Sequence, residues 1–197
     1  MKASDFSFLV PFALAVFWGC QTLGQEIQSG QGFPLNFDIG YGIMTNEGST
    51  LSQTWMVVTD PNLPVSFDVS AYKGLEILNV DRGWQYRATF KLDVKQPISA
   101  VKVVVIPFDV WNQSLRPLAL SHISDLAQGP KVIEGVWNAY DESAALSVLT
   151  TIAYVDEVRL QDGSILMADT DFVLDQARML SSGLELSDIT PSQPKSE

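Results

Sequence analysis

The sequence predicts an all-β protein: an antiparallel β-sandwich with one short helix near its C terminus. Three observations carry that expectation. Apolar and polar residues alternate with period two over Trp84–Val94, the repeat that turns successive side chains to opposite faces of a strand. Short segments of this kind recur through the middle of the chain, divided by Pro-, Gly- and Asp-containing turns at a spacing of about ten residues. Strand and helix patterns do not alternate, which disfavours a doubly wound parallel sheet, and no fixed period repeats, which disfavours solenoids and propellers.

Thr54–Thr59 and Val65–Val69 read as short strands on either side of Asp60-Pro61-Asn62-Leu63-Pro64, where Pro fixes φ and Asp or Asn bonds its own backbone. Gly74–Val80 is a weaker strand pattern. In Trp84–Val94, the residues Trp84, Tyr86, Ala88, Phe90, Leu92 and Val94 share one face, and Gln85, Arg87, Thr89, Lys91 and Asp93 the other. After Lys95-Gln96-Pro97 comes Ile98–Val110. Its Val101, Val103, Val104, Val105 and Ile106 form a β-branched run suited to a central strand covered on both faces. These two segments are expected to pair antiparallel, and Pro107, which lacks a backbone donor, to mark an edge or a bulge. Leu118–Ile123 and Lys131–Trp137 are further candidates. Ser147–Gln161 alternates again, and Asp162-Gly163 supplies a tight hairpin into Ser164–Met167. Thr170–Leu180 is the one helical stretch. Asp169 and Asp171 stand at its start and Arg178 near its end, an order that suits the helix dipole.

The ends of the chain read differently from its middle. Phe6–Cys20 runs fifteen residues without a charge behind Lys2. A spanning helix needs about 20 apolar residues, so residues 1–20 fit the apolar region of a secretory signal. Cys20 is the only cysteine and follows Gly19. The Gly19-Cys20 pair resembles the lipobox of bacterial lipoproteins, which makes Cys20 a candidate for lipidation; a soluble secreted protein is the equal alternative. Residues 21–32 hold four Gln, three Gly and one Ser and read as a polar linker. The sandwich domain is then 33–187, and 188–197, with two Pro and two Ser, reads as a disordered tail. The chain is expected to be extracytoplasmic: periplasmic, membrane-tethered through a lipid or signal anchor, or secreted.

Composition narrows the function classes. The 197 residues include 12 Lys+Arg against 23 Asp+Glu, a formal charge of −11. Lys2 and Asp5 cancel, so this acidity belongs to the chain after residue 20. Nucleic acid is excluded as a general partner, because phosphates demand clustered cations. One Cys and one His supply neither a zinc cluster nor an internal disulfide.

The region from Trp84 to Leu166 resembles the immunoglobulin-like sandwich domains of bacterial envelope proteins, including the FxLYD type. The carriers are Ala100-Val101-Lys102-Val103-Val104-Val105 running into Phe108-Asp109-Val110-Trp111, and the late hairpin Val158-Arg159-Leu160-Gln161-Asp162-Gly163-Ser164. The resemblance implies an immunoglobulin-like fold and an extracytoplasmic setting. It implies no catalytic residue.

No catalytic constellation, metal site or cofactor is assigned from the residues. His122 is the only imidazole, and no Gly-x-Ser-x-Gly elbow accompanies it. Asp169-x-Asp171-x-x-x-Asp175 lacks the Gly and Glu of a calcium loop and reads as helix capping. Trp55 and Trp84 are expected to fill the core. Trp111 with Asn112, and Trp137 with Tyr140, fall in polar loops, where rings can stack on sugars or anchor a protein. These four are the candidate partner-binding residues. The expected function is a non-enzymatic exported domain that binds a protein or glycan partner or acts as a spacer; the alternative is a secreted carboxylate-dependent hydrolase.

Overall fold

The structure, a computed structural model, describes residues 28–34, 52–81, 83–139 and 142–190. The signal segment, Cys20 and Tyr140 lie outside the described residues. The strands are β1 (Gln28–Pro34), β2 (Ser52–Val58), β3 (Val65–Asp68), β4 (Glu76–Val80), β5 (Gly83–Val94), β6 (Ile98–Asp109), β7 (Leu118–Leu126), β8 (Gly129–Asn138), β9 (Val148–Leu160) and β10 (Ile165–Met167). Three helices, α1 (Glu142–Ser147), α2 (Thr170–Ala177) and α3 (Leu186–Ile189), are short. The described residues are therefore mostly β, with three helices among them where one was expected.

The strands form two sheets. The six-stranded sheet has the order β1-β2-β9-β6-β7, with β10 pairing the far end of β9 beyond β2. The four-stranded sheet is built on β5, which takes β3 and β4 along one edge and β8 along the other. The expected β5–β6 pair is therefore not formed: Lys95–Pro97 carries the chain from one sheet to the other. Both segments hold apolar faces, and facing sheets satisfy those faces as well as pairing would. Pairing is not all antiparallel either. β2 runs parallel to β9, from Thr54 opposite Thr150 to Val58 opposite Tyr154. Side-chain alternation has the same period in both directions, so the sequence pattern could not carry strand direction.

Burial explains which strand sits where. In β5, Tyr86, Ala88, Phe90, Leu92 and Val94 are buried and the intervening residues are not, as the alternation requires. β6 lies between β9 and β7 and is buried on both faces from Val103 to Phe108. Pro107 stands beyond the last β6–β7 pair, Val105 opposite Leu118, so its missing donor deprives no partner. The core joins the two sheets through a run of rings. Trp55 of β2 meets Tyr72 edge-on at 5.9 Å, Tyr72 stacks on Phe90 at 5.4 Å, and Phe67 lies 6.1 Å from Phe90. The Tyr72 hydroxyl donates to Thr151 Oγ1 of β9 at 2.9 Å, and burial pushes its pKa far up. Gln53 fixes the loop beneath: its amide donates to Leu75 O at 2.8 Å and its carbonyl accepts from Leu75 N at 3.1 Å, all buried.

Two boundaries move outward, toward the ends of the chain. The stretch read as a linker, 21–32, runs into β1, which pairs with β2 from Gln28 opposite Val57. Gly30 makes that pairing feasible, because a Cβ there would stand 2.6 Å from the Trp55 ring. The stretch read as a tail, 188–197, begins inside α3. Ile189 is fully buried, and its carbonyl accepts from the Tyr154 hydroxyl at 2.7 Å. One apolar residue among polar neighbours was enough to dock this turn. Asp169 caps α2, accepting from Asp171 N and Phe172 N, as the capping reading of these acids expects.

Candidate functional site

Trp111 stands on the turn that follows β6, and its indole is 80% exposed. The turn beneath it is held firmly. Asp109 Oδ1 accepts from Trp111 N at 2.9 Å and from Gln113 N at 2.8 Å, while Asp109 O accepts from Asn112 N at 3.0 Å. Asn112 has φ 61°, a left-handed conformation that Asn tolerates better than other non-Gly residues. Its side-chain amide donates to Ser181 Oγ at 3.0 Å, and Ser114 Oγ donates to Asp188 Oδ1 at 2.9 Å. The segment around α3 thus braces the turn from outside the six-stranded sheet. The turn that presents the ring to solvent therefore has little backbone freedom left to lose on contact.

The other expected residues divide. Trp137 is partly buried on β8, and its Nε1 donates to Ala119 O of β7 at 2.9 Å. A Cβ on Gly135 would collide with this ring, so glycine two residues earlier clears its place. Trp137 therefore ties the edges of the two sheets together. Tyr140 and Cys20 lie outside the described residues. Trp55 is buried and Trp84 packs partly against the core. His122 lies on β7 opposite Val101. Among the described residues, no group of three or more His, Cys, Asp or Glu is arranged to hold a metal ion, and no helix is long and apolar enough to cross a membrane.

A second feature was not anticipated. On the outer face of the six-stranded sheet, four strands bring residues into line: Ile123 of β7, Ala100 of β6, Arg159 of β9 and Ile165 of β10. The next line is Ser121, Lys102, Glu157 and Met167. The small Ala100 leaves a notch between larger neighbours, and a cleft of about 470 Å³ opens there. Ile123 is 82% and Ile165 53% exposed. A bulge shapes one wall. Lys102 faces Glu157 and Val103 faces Val155, which leaves Asp156 as the extra residue. Asp156 and Glu157 therefore meet Lys102 together, at 2.7 and 2.9 Å. Burial pulls the Lys102 ammonium down, but the hydrogen bonds and charges of the two acids outweigh it and hold its pKa above the ordinary lysine value. These adjacent carboxylates are engaged as an ion triad.

The linear sequence gave no signal for this cleft, because Ala100, Ile123, Arg159 and Ile165 come together only through cross-strand register. The outer face of the four-stranded sheet carries two ion pairs, Arg87–Glu76 at 2.6 Å and Lys91–Asp68 at 2.5 Å, with the exposed Val136 and Val132 opposite the two cations. Hydrogen bonds from Lys91 and Ser70 hold the Asp68 carboxyl down at about 2.

No family model matches the sequence, and no curated protein matches it. Among solved structures, the chain is similar to a hypothetical protein from Peptoclostridium difficile 630, at 9% identity, covering 60% of this chain and 92% of that one with a TM-score of 0.41. It is also similar to Campylobacter jejuni cj0090, at 17% identity, covering 51% of this chain and 97% of that one with a TM-score of 0.29.

Proposed function

We propose that the chain is an exported, non-enzymatic domain that holds a protein or glycan partner against its Trp111 turn. The observation that carries this reading is the 80% exposure of Trp111 on a turn whose backbone is already fixed by Asp109. Large exposed apolar rings cost solubility unless they are used, and a preorganised aromatic is the residue type that dominates binding energy. The fold proposed for it is an immunoglobulin-like sandwich of the FxLYD type found in bacterial envelope proteins. In support, the valine-rich β6 leads directly into the aromatic–Asp turn, and Asp162-Gly163 closes the late hairpin, with Gly163 at φ 89°. Export rests on the uncharged run Phe6–Cys20, with Cys20 as the lipid attachment point.

The test compares wild type with Trp111→Ala in two formats, a glycan array and cross-linking pull-down from envelope extract. A glycan partner gives array signal and a protein partner gives cross-linked bands. In either format the variant is expected to lose at least about 30-fold, the size of a tryptophan hot spot. Equal capture by both proteins would refute the assignment. Mass spectrometry of the mature protein tests the address: a diacylated Cys20 is expected, and an intact Met1 would overturn export by cleavage.

A further inference from the structure

The open cleft at Ala100 has no role in the Trp111 reading and stands on separate observations. Its two rails, Ile123 and Ile165, belong to strands three spacings apart, about 14 Å at the usual strand separation. Between them Ala100 forms a small floor, and the volume of about 470 Å³ falls in the range of small-molecule sites, about 300–1,000 Å³. Ile123, Ile165 and Met167 are all exposed on this face, whereas α2 and α3 bury Val173, Leu174, Ala177 and Ile189.

The polar groups of the cleft specify what would sit there. Lys102 is engaged by Asp156 and Glu157. Arg159 is different: among the described residues its guanidinium makes no ion pair and no side-chain hydrogen bond, although it lies in line with both rails. A guanidinium offers five donors in a planar fork that matches a carboxylate. The Lys102 triad, with two acids to one base, carries one surplus negative charge beside it. That surplus tolerates one carboxylate facing Arg159 and opposes a doubly charged headgroup.

We infer that this cleft binds an amphiphilic monocarboxylate, its apolar tail lying over Ala100 between Ile123 and Ile165 and its carboxylate paired with Arg159. Methyl-labelled isoleucine NMR of the full chain, titrated with decanoate, decan-1-ol and decyl phosphate, tests it. Decanoate is expected to shift the Ile123 and Ile165 methyls saturably, while the buried Ile106 and Ile152 stay fixed. Decan-1-ol should bind at least about tenfold more weakly, the worth of a charge-assisted contact, and decyl phosphate more weakly than decanoate because the surplus charge of the triad repels its second charge. Arg159→Gln should lower decanoate to the level of the alcohol, and Ala100→Leu should abolish the shifts by filling the floor. Unmoved Ile106 and Ile152 resonances in each variant show that the fold is kept. Trp111→Ala should leave decanoate binding unchanged, which separates this site from the turn. Equal affinity for decanoate and decan-1-ol, unchanged binding to Arg159→Gln, or tighter binding of decyl phosphate would each overturn the inference.

Discussion

Gln53→Leu should be among the most damaging single substitutions in this protein, although it replaces a polar core residue with an apolar one of similar size. Gln53 imitates a strand partner: its amide group satisfies both Leu75 O and Leu75 N, at 2.8 and 3.1 Å. Leu75 is fully buried, so leucine at position 53 leaves two backbone groups without water or partner. Each such orphan costs about 1–3 kcal/mol, and the better burial of leucine returns about 1 kcal/mol. The expected net loss is about 3 kcal/mol. With a urea dependence of about 2 kcal/mol per molar, the midpoint should fall by about 1.5 M with little change in slope. Gln53→Glu gives a sharper test. An ionised carboxylate can accept from Leu75 N, but its second oxygen then faces Leu75 O; the protonated acid can donate there instead. The native state of this variant therefore holds its proton more tightly than the unfolded chain, whose Glu titrates near about 4.3. Relative to wild type, its stability should rise as pH falls from about 7 to about 4. A midpoint shift below about 0.3 M in Gln53→Leu, or no relative recovery of Gln53→Glu in acid, would show that Leu75 finds other partners and refute the clamp.

Three further outcomes follow from single contacts. An NMR titration should place the Asp68 carboxyl midpoint at about 2, and Lys91→Met should return it toward the ordinary aspartate value of 3.8. Because the folded value is lowered, the stabilisation linked to this group is complete above the unfolded value and is lost as pH falls through about 2; a midpoint unmoved by the substitution counts against the pair. Gly135→Ala should displace the Trp137 ring and break its bond to Ala119 O, at about 1–3 kcal/mol. An indole N–H that exchanges with solvent at the wild-type rate would contradict this. Tyr154→Phe removes the donor to Ile189 O, costing about 1 kcal/mol. Amide exchange over Leu186–Ile189 should quicken while β6 stays protected, and uniform protection would mean that α3 is docked by burial alone.

What could be read from the sequence depended on whether an element had a wet face. β5 shows both a buried and a solvated side, so its alternation fixed its type and its inward residues at once. β9 is covered on both sides over most of its length. Its strand character was legible, but its apparent alternation said nothing about neighbours, and its parallel partner β2 lies roughly a hundred residues away in the chain. The helix start at Asp169 was legible because capping is local. Ile189 was not, since a single buried side chain in a polar stretch looks like any other exposed apolar residue until Tyr154 is placed beside it.

The same distinction separates the two surfaces proposed to bind. Trp111 could be found from the sequence because the turn that exposes it is local: Asp109, Asn112 and Gln113 make most of its bonds within five residues. The Ala100 cleft could not, for it depends on three independent registers and on a bulge at Asp156 that shifts one of them. Without that bulge, alternation would carry Asp156 and Glu157 to opposite faces of β9, and only one acid could hold Lys102. Ser121 and Met167 would then flank a single ion pair rather than a triad, and the surplus charge that selects a singly charged headgroup would be gone. Selectivity at this site therefore resides in one inserted residue of β9. Asp156→Asn keeps the bulge and the bond from Ala168 N to the residue-156 carbonyl at 2.8 Å but removes the surplus charge, so decyl phosphate should then shift the Ile123 and Ile165 methyls as decanoate does; continued discrimination against decyl phosphate would refute the charge argument.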